Sequence, residues 1–564
     1  MDITIKITGE AGQGLQTVGQ LLGKYFTRRG YYVFCNQDNE SRIRGGHNFF
    51  QVRVATDPVS AVADRVNVLV PLDRAGIDLH LDEVVPEGLV LLDEGMVDHP
   101  RRDGRFLFLP LNELAREKGG SLIFVNVAAT AAVLAQLGQA MEPLAGLLRE
   151  TFPVDAGEKN IQVASSTYEL ALRGRRPITM EAPPPIAVPR MFINGHEALA
   201  LGALAAGCKF IAAYPMSPST PIITYLYQMA EKFGLVVEQA EDEIAAMNMA
   251  VGAAYTGVRA MTATSGGGFS LMVEGLGLAG MTETPVVVVN AQRPGPATGL
   301  PTRTEQGDLE FVIHAAQGEF PRFVLAPRTI PEAFYLTIRA FNLAEKFQVP
   351  AVILTDQHLG EAYISAERFD LSRVVVERYL LTTPLPAGER YRRYRFAESG
   401  LSPRAMPGLP GMAVTLDSDE HDEDGRIIED AVSRRRMVEK RLGKWPAMAA
   451  ALEPPEITGD IDARWVLVGW GSTHGALAEA CALLRQRGEK VQMRCLVDLW
   501  PLRNDVLADI PAGARLVAVE GNYTGQLARL LAVETGRRAD YRINRYDGRP
   551  FTPGYILEHF AVFE

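Results

Sequence analysis

Residues able to do chemistry gather in four stretches of this chain. The first, Gly9-Glu10-Ala11-Gly12-Gln13-Gly14, follows a β-rich run and precedes the helix-prone Leu15 to Tyr25. Glycines at Gly12 and Gly14 let a backbone approach an anion, and the following helix offers unpaired amides at the positive end of its dipole. The letters match neither G-x-G-x-x-G nor a P-loop, so they predict a phosphate-bearing ligand other than a nicotinamide or ATP. Alone, the stretch reads equally as a tight strand-to-helix turn. Nearby Ser41 to Asn48 adds Arg42, Arg44 and a glycine pair, suited to phosphates and equally to a solvated basic turn.

The second stretch, Tyr214-Pro215-Met216-Ser217-Pro218-Ser219-Thr220-Pro221, ends the apolar run Phe210 to Ala213. In open α/β sheets ligands collect beyond the carboxyl ends of strands, and interleaved prolines hold hydroxyls rigidly there. The competing reading is a stiff helix entry with Ser219 or Thr220 as N-cap. The third, Glu238-Gln239-Ala240-Glu241-Asp242-Glu243, sets acids where a strand gives way to an Ala-rich helix, a position that dipole complementarity alone would favour. It is followed by Thr264-Ser265-Gly266-Gly267-Gly268-Phe269, a strand ending in three glycines. The fourth runs from Arg293-Pro294-Gly295-Pro296 to Gly299-Leu300-Pro301-Thr302-Arg303-Thr304-Glu305-Gln306-Gly307-Asp308. An arginine held by proline and glycine presents a planar fork to a carboxylate, as a surface ion pair also would.

The elements that must position these stretches suit an α/β protein of several domains, since 564 residues exceed one core. Short β-rich runs such as Ile3 to Ile7, Val66 to Val70 and Leu89 to Leu92 alternate with helical stretches over residues 1–176, predicting a mostly parallel sheet. A proline-rich linker spans 177–190, with Pro183 to Pro185 and Pro189 at its centre. A second α/β unit covers 191–364, its strands apolar on both faces. Residues 365–455 are charged and irregular, a connector that wraps; strand–helix alternation returns over 456–564.

A hydrophobic share of 47% with 22% charged residues is an ordinary globular balance, and a net charge of −11 argues against nucleic acid as a partner. The most apolar run, Ile123 to Met141, is broken by Asn126, Thr130, Gln136 and Gln139, so no membrane span is predicted. Strand-like alternation from Asp2 onward, without a basic leader, predicts a cytoplasmic protein. Cys35, Cys208, Cys481 and Cys495 are too scattered to bind a metal or cluster.

Taken in order, these motifs resemble the 2-oxoacid:ferredoxin oxidoreductases over nearly the whole chain. The resemblance covers a gamma-type α/β domain with G-E-A-G-Q-G and a doubly wound, pyrimidine-binding alpha domain with Y-P-x-[ST]-P-S, E-Q-A-E-D-E, T-S-G-G-G-F and G-L-P-T-R-T-E-Q-G-D. A transketolase-C-like domain with Val519-Glu520-Gly521-Asn522-Tyr523-Thr524-Gly525-Gln526 follows. It implies that gamma and alpha are fused here, and that Glu243, spaced nine residues before Gly252, is the catalytic glutamate that bonds the thiamine aminopyrimidine. Such a carboxylate favours the imino tautomer, whose nitrogen removes the thiazolium proton. Tyr214, Pro215, Gly267, Gly268 and Phe269 are implied around thiamine diphosphate; Ser217, Pro215, Thr302 and Arg303 around the 2-oxoacid, with Arg293 competing for its carboxylate. Met216 and Ser217 depart from the family's isoleucine and threonine, though the hydroxyl survives. Gly12, Gly14, Arg42 and Arg44 are the candidates for CoA.

The implied reaction is CoA-dependent oxidative decarboxylation of a 2-oxoacid with reduction of ferredoxin, or its reverse. No G-D-G magnesium–diphosphate signature and no cluster-binding cysteine set is present, so the resemblance implies a beta subunit carrying Mg²⁺ and a 4Fe–4S cluster, in a heterodimer or a dimer of heterodimers. The fusion resembles the 2-oxoglutarate or broad-specificity branch of the family, and 2-oxoglutarate is placed ahead of pyruvate. A transketolase-like or sulfopyruvate-decarboxylase-like subunit and a non-catalytic CoA- or nucleotide-binding scaffold are the alternatives.

Overall fold

Ile3, Ile5 and Ile7 alternate with Thr4, Lys6 and Thr8, the period of a strand, and Asp2–Ala11 forms one in the computed structural model. The structure describes all residues except 42–44, 102, 175–177, 186–187, 387 and 564. The chain divides into two units, the first comprising Met1–Asn194, Glu361–Arg368 and Thr552–Tyr555.

The first unit is built on an eight-stranded sheet. Its order is Phe106–Leu109, Val84–Asp93, Val66–Pro71, Asp2–Ala11, Gly45–Ala55, Tyr32–Asp38, Tyr363–Ala366 and Met191–Asn194. Pairing is parallel as far as Asp2–Ala11 and antiparallel beyond it, so the expected mostly parallel sheet is half realised. The reason is Gly45–Ala55, a strand behind the basic turn, which pairs on one side with Asp2–Ala11 and on the other with Tyr32–Asp38. Ile3, Ile5 and Ile7 pack on Val18, Leu21 and Leu22 of the helix Leu15–Arg28 and on the Ala-rich helix Val125–Gln136. Described residues of the proline-rich stretch lie along this unit: the Tyr31 hydroxyl donates to Glu181 O (2.8 Å), and the Arg190 guanidinium covers the Tyr32 ring.

The second unit holds two sheets. Seven strands run in the order Asp498–Trp500, Phe323–Leu325, Ala351–Asp356, Val287–Gln292, Arg259–Thr264, Cys208–Ala213 and Val236–Gln239. All pair in parallel except Asp498–Trp500, an edge strand donated from the C-terminal region. The second sheet orders Glu456–Gly459, Val491–Leu496, Trp465–Trp470, Arg515–Glu520 and Tyr541–Asn544. Strands Arg259–Thr264, Val287–Gln292 and Ala351–Asp356 are buried on both faces, which is why their sequences do not alternate.

The irregular connector is fastened to this unit by buried carboxylates. Glu345 receives Arg259 Nε (3.0 Å), Arg378 Nε (2.8 Å) and Arg404 Nη2 (2.9 Å). Glu283 receives Lys440 Nζ (2.6 Å) and Lys444 Nζ (2.5 Å), both ammoniums being buried with it. The basic helix Ala431–Leu442 therefore spends much of its charge internally, with Arg441 and Arg434 on Glu420. Among the described residues no single helix is long and apolar enough to cross a membrane.

Candidate active site

Strands Val236–Gln239, Cys208–Ala213, Arg259–Thr264 and Val287–Gln292 are parallel neighbours, so the loops at their carboxyl ends share one edge of the sheet. These loops are the Tyr214, Glu241, Ser265 and Arg293 segments. Asp242 caps the helix Glu243–Tyr255, its carboxylate accepting Ala245 N–H at 2.7 Å. That cap fixes the helical phase. Glu238 and Glu241 are left exposed, while Glu243, the first helical residue, is 3% exposed.

Among the described residues the Glu243 Oε1 atom is buried without a hydrogen-bond partner, as are Thr262 Oγ1, Ser265 Oγ and Asn290 Oδ1. Unsatisfied buried acceptors are rare and mark strain, chemistry or a ligand's place. Asn290 is the register partner of Thr264 on the next strand, so three of these orphaned atoms lie on neighbouring strands or just past their carboxyl ends. The three glycines do not end a strand as expected; they open the helix Gly266–Met281. A Cβ on Gly268 would lie 2.1 Å from Thr264 Oγ1 and 2.4 Å from Glu243 Oε1, so only glycine lets that turn close onto the carboxylate. Gly267, one residue earlier, is exposed, and a Cβ there would meet nothing closer than 3.8 Å. Phe269, assigned to the cofactor by resemblance, is fully buried, edge-to-face on Phe311 at 5.4 Å. The helical turn carries its ring into the core.

In the proline loop, Ser219 occupies the N-cap position, yet its hydroxyl turns back to Met216 O (2.8 Å) and makes no side-chain cap. Met216 Sδ accepts the Thr264 hydroxyl at 3.8 Å, which brings the loop to the glutamate's edge of the sheet. Tyr214 and Ser217 are exposed and Pro215 half-buried. Arg293 Nη1 donates to Ser217 O at 2.6 Å, so this arginine staples two loops. Burial lowers its proton affinity, partly offset by Asp308.

Arg303 and Thr302 sit half-buried in the turn after Gly299. Burial, reinforced by the like charge of Arg549, pulls the Arg303 pKa down to about 10. Burial raises Glu305 to about 7, with Asp308 adding to the shift. Asp308 is itself raised by burial, though Asn290 Nδ2 donates to it at 3.1 Å.

Beyond Arg303 the loop is gripped by the five-stranded sheet. Gln306 N–H donates to Gly521 O (2.6 Å), Gly521 N–H to Gln306 Oε1 (2.8 Å), Gln306 Nε2 to Trp470 O (2.9 Å) and Asn522 Nδ2 to Gln306 O (3.1 Å). The stretch Val519 to Gln526 is thus a clamp. Glu520, raised by burial, accepts Leu527 N–H and Ala528 N–H at the start of the helix Gln526–Thr535. Gln526 Nε2 donates to Gly307 O at 2.7 Å. Gln306, Asn290 and Thr264 were not singled out by sequence. The only signal for Asn290 was a polar residue directly after the apolar run Val286 to Val289.

In the first unit, Gly12 and Gly14 both have left-handed φ values, 92° and 81°. Gly14 precedes the helix Leu15–Arg28, which has neither a side-chain cap nor an acid in its first turn, so no carboxylate of its own offsets the positive end of its dipole. Open space surrounds Gly12, whereas a Cβ on Gly14 would meet Asn126 Nδ2 at 2.8 Å. Arg42 and Arg44 lie outside the described residues. All four cysteines are buried, which pushes their thiols up and makes them unreactive. Among the described residues no three His, Cys, Asp or Glu side chains gather as a metal site.

Residues 4–170 match the family described as pyruvate ferredoxin/flavodoxin oxidoreductase, and residues 201–440 match the thiamine-diphosphate-binding region of pyruvate flavodoxin/ferredoxin oxidoreductase. A 2-oxoacid:ferredoxin oxidoreductase subunit alpha from a Sulfolobus species is 32% identical, over 98% of this chain and 95% of the relative. The chain belongs to the 2-oxoacid:ferredoxin oxidoreductase alpha subunits. A 2-oxoglutarate oxidoreductase subunit KorA from Mycobacterium tuberculosis is 29% identical, over 94% of this chain and 87% of that one. The structure of 2-oxoglutarate:ferredoxin oxidoreductase from Magnetococcus marinus, with 2-oxoglutarate, coenzyme A and succinyl-CoA bound, superposes with a TM-score of 0.92. That match has 28% identity and covers 100% of this chain and 99% of that one.

The thiamine-diphosphate-binding domain of this oxidoreductase alpha subunit includes Glu243, Thr264, Gly268, Arg293 and Arg303. Its residues fit that cofactor. The orphaned Glu243 oxygen, at the carboxyl ends of parallel strands, lacks only the N–H donor that a pyrimidine nitrogen supplies.

Proposed function

We propose that this alpha subunit works with a beta subunit to decarboxylate 2-oxoglutarate oxidatively. A carbon–carbon bond to the carboxylate breaks, CoA thiol sulfur bonds to the remaining acyl carbon, and two electrons pass singly to two ferredoxins. The products are succinyl-CoA, CO₂ and a proton. The reverse carboxylation needs only a donor of low enough potential.

The observation that carries this reading is the Glu243 Oε1 atom, buried and unsatisfied where the Gly268 backbone closes on it. Bound thiamine diphosphate supplies an electron sink for the carbanion left by decarboxylation. Glu243 holds its pyrimidine by accepting a ring N–H. Gly267, Gly268, Tyr214 and Pro215 form the walls, and Arg303 pairs with the 2-oxoacid carboxylate beside the Ser217 and Thr302 hydroxyls. Arg293 is the loop staple, because one of its donors is already given to Ser217 O. CoA phosphate is assigned to the uncapped start of the helix after Gly14, together with Arg42 and Arg44.

The choice of 2-oxoglutarate rests on the bound ligands of the Magnetococcus marinus enzyme and on the name of the mycobacterial relative. The partner is inferred from the missing G-D-G signature and cysteine set, and from relatives named as alpha subunits. It would bring Mg²⁺, the diphosphate grip and a 4Fe–4S cluster, in a dimer of heterodimers.

The test is viologen reduction by the co-expressed two-chain complex with CoA and either 2-oxoglutarate, pyruvate or a branched-chain 2-oxoacid. The proposal expects a brown complex with highest kcat/KM for 2-oxoglutarate. A colourless monomer that reduces no viologen with any 2-oxoacid would overturn it in favour of a scaffold, and a pyruvate optimum would overturn the substrate.

A further inference from the structure

We propose that Gln306 is the positioning residue through which the C-terminal sheet sets the affinity of the alpha subunit for its 2-oxoacid; this rests on the reading of Arg303 as the carboxylate's partner. Gln306 is 2% exposed, and all four of its hydrogen-bonding groups are used by the C-terminal sheet and its loops. Its own N–H and Oε1 make a reciprocal pair with Gly521, at 2.6 and 2.8 Å. Its Nε2 reaches Trp470 O and its carbonyl accepts Asn522 Nδ2.

The grip continues downstream. Gln526 Nε2 donates to Gly307 O (2.7 Å), and Gln526 Oε1 accepts Glu310 N–H (2.9 Å). Upstream the hold passes to the loop itself and the Gly548 turn: Arg303 N–H donates to Leu300 O (3.1 Å), and Thr304 N–H reaches Gly548 O at 3.4 Å. Arg303 therefore stands three residues before a fixed point. A planar guanidinium recognises a carboxylate only over a narrow range of orientations, so the base of the loop decides whether the fork is aimed.

The clamp is itself pre-formed. Asn522 Oδ1 accepts Gly525 N–H (2.8 Å) and Gln526 N–H (3.2 Å), and its Nδ2 also donates to Glu520 Oε2 (2.8 Å). A Cβ on Gly521 would sit 3.3 Å from Gln306 Cγ, so the fit is tight as well as hydrogen-bonded.

Two variants of the two-chain complex test this. Gln306→Asn withdraws both side-chain bonds, and Gln306→Glu keeps an acceptor for Gly521 N–H but turns an oxygen toward Trp470 O. For Gln306→Asn, KM for the 2-oxoacid should rise roughly 10- to 30-fold, the loss of two hydrogen bonds, with kcat and thiamine diphosphate affinity within about twofold of the parent. Gln306→Glu should recover KM as pH falls, because a protonated carboxyl again donates to Trp470 O. Hydrogen exchange of the two-chain complex supplies a readout independent of turnover: amides of residues 299–305 should exchange faster in Gln306→Asn, and those of Gly266–Met281 should not. The inference fails if KM is unchanged, if a rise in KM comes with a fall in both kcat and cofactor affinity, or if exchange in 299–305 is unaltered. Should the parent complex turn over no 2-oxoacid, the functional reading fails instead, and the exchange experiment still decides whether Gln306 holds the loop.

Discussion

Replacing Gly268 by alanine should do opposite things to the fold and to the site from replacing its neighbour Gly267, although both open the same helix. In a helix, Gly→Ala ordinarily stabilises by up to about 1 kcal/mol. At position 267 nothing opposes this: the nearest atoms to a new Cβ are Ala297 O at 3.8 Å and Met216 Cε at 3.9 Å. At 268 the methyl would arrive 2.1 Å from Thr264 Oγ1, 2.4 Å from Glu243 Oε1 and 2.8 Å from Glu243 Cδ, all in a buried setting. Overpacking of this kind costs about 1–3 kcal/mol, and relief requires the carboxylate to swing away from its present place. Urea unfolding of the free chain reads the first effect, and titration of the two-chain complex with thiamine diphosphate reads the second. G267A should equal or exceed the parent in stability and bind cofactor normally; G268A should be less stable and lose most of its cofactor affinity. Equal behaviour of the two variants would refute the placement of the Glu243 carboxylate against the glycine turn.

Glu283→Gln leaves the buried ammoniums of Lys440 and Lys444 without their carboxylate, and urea unfolding should show a loss of about 3–5 kcal/mol. His196 is buried against Gly360, and burial pushes its pKa from 6.5 down to about 4. Its depressed folded pKa adds stability above pH 6.5 that is lost as pH falls toward 4, so His196→Gln should flatten the fall in Tm across that window. Glu305 has the opposite sign: raised from 4.5 to about 7 by burial, it favours the fold below 4.5 and withdraws that support as pH rises through 7. Glu305→Gln should therefore raise Tm at pH 8 and leave it unchanged at pH 4.

The positions of the chemical loops were legible because glycine and proline cluster where apolar strands stop, and parallel strands bring those ends to one edge. Choosing Glu243 from Glu238, Glu241, Asp242 and Glu243 was not possible from letters alone. Resemblance named it, and the Asp242 cap supplies the physical reason, by setting the helical phase that buries it. For Phe269, which resemblance alone had placed by the cofactor, the letters gave no burial: a helix starting at Gly266 sets its ring in the core against Phe311. The antiparallel half of the first sheet was hidden by Ser41 to Gly46, which read as a basic turn while Gly45–Ala55 continued as a strand. Gln306 escaped notice for a different reason: its partners Gly521 and Asn522 are more than 200 residues away, and hydrogen bonds of that range leave no periodicity in the sequence. Glu283 was hidden in the same way, since its partners Lys440 and Lys444 come from the distant connector.

If Glu243 has the proposed role, its carboxylate assists removal of the thiazolium C2 proton. Exchange of that proton with deuterium can be followed by acid quench and NMR in the two-chain complex loaded with thiamine diphosphate. In Glu243→Gln the exchange should slow by at least about 100-fold while the cofactor stays bound. Exchange at the parent rate, with cofactor retained, would contradict the account.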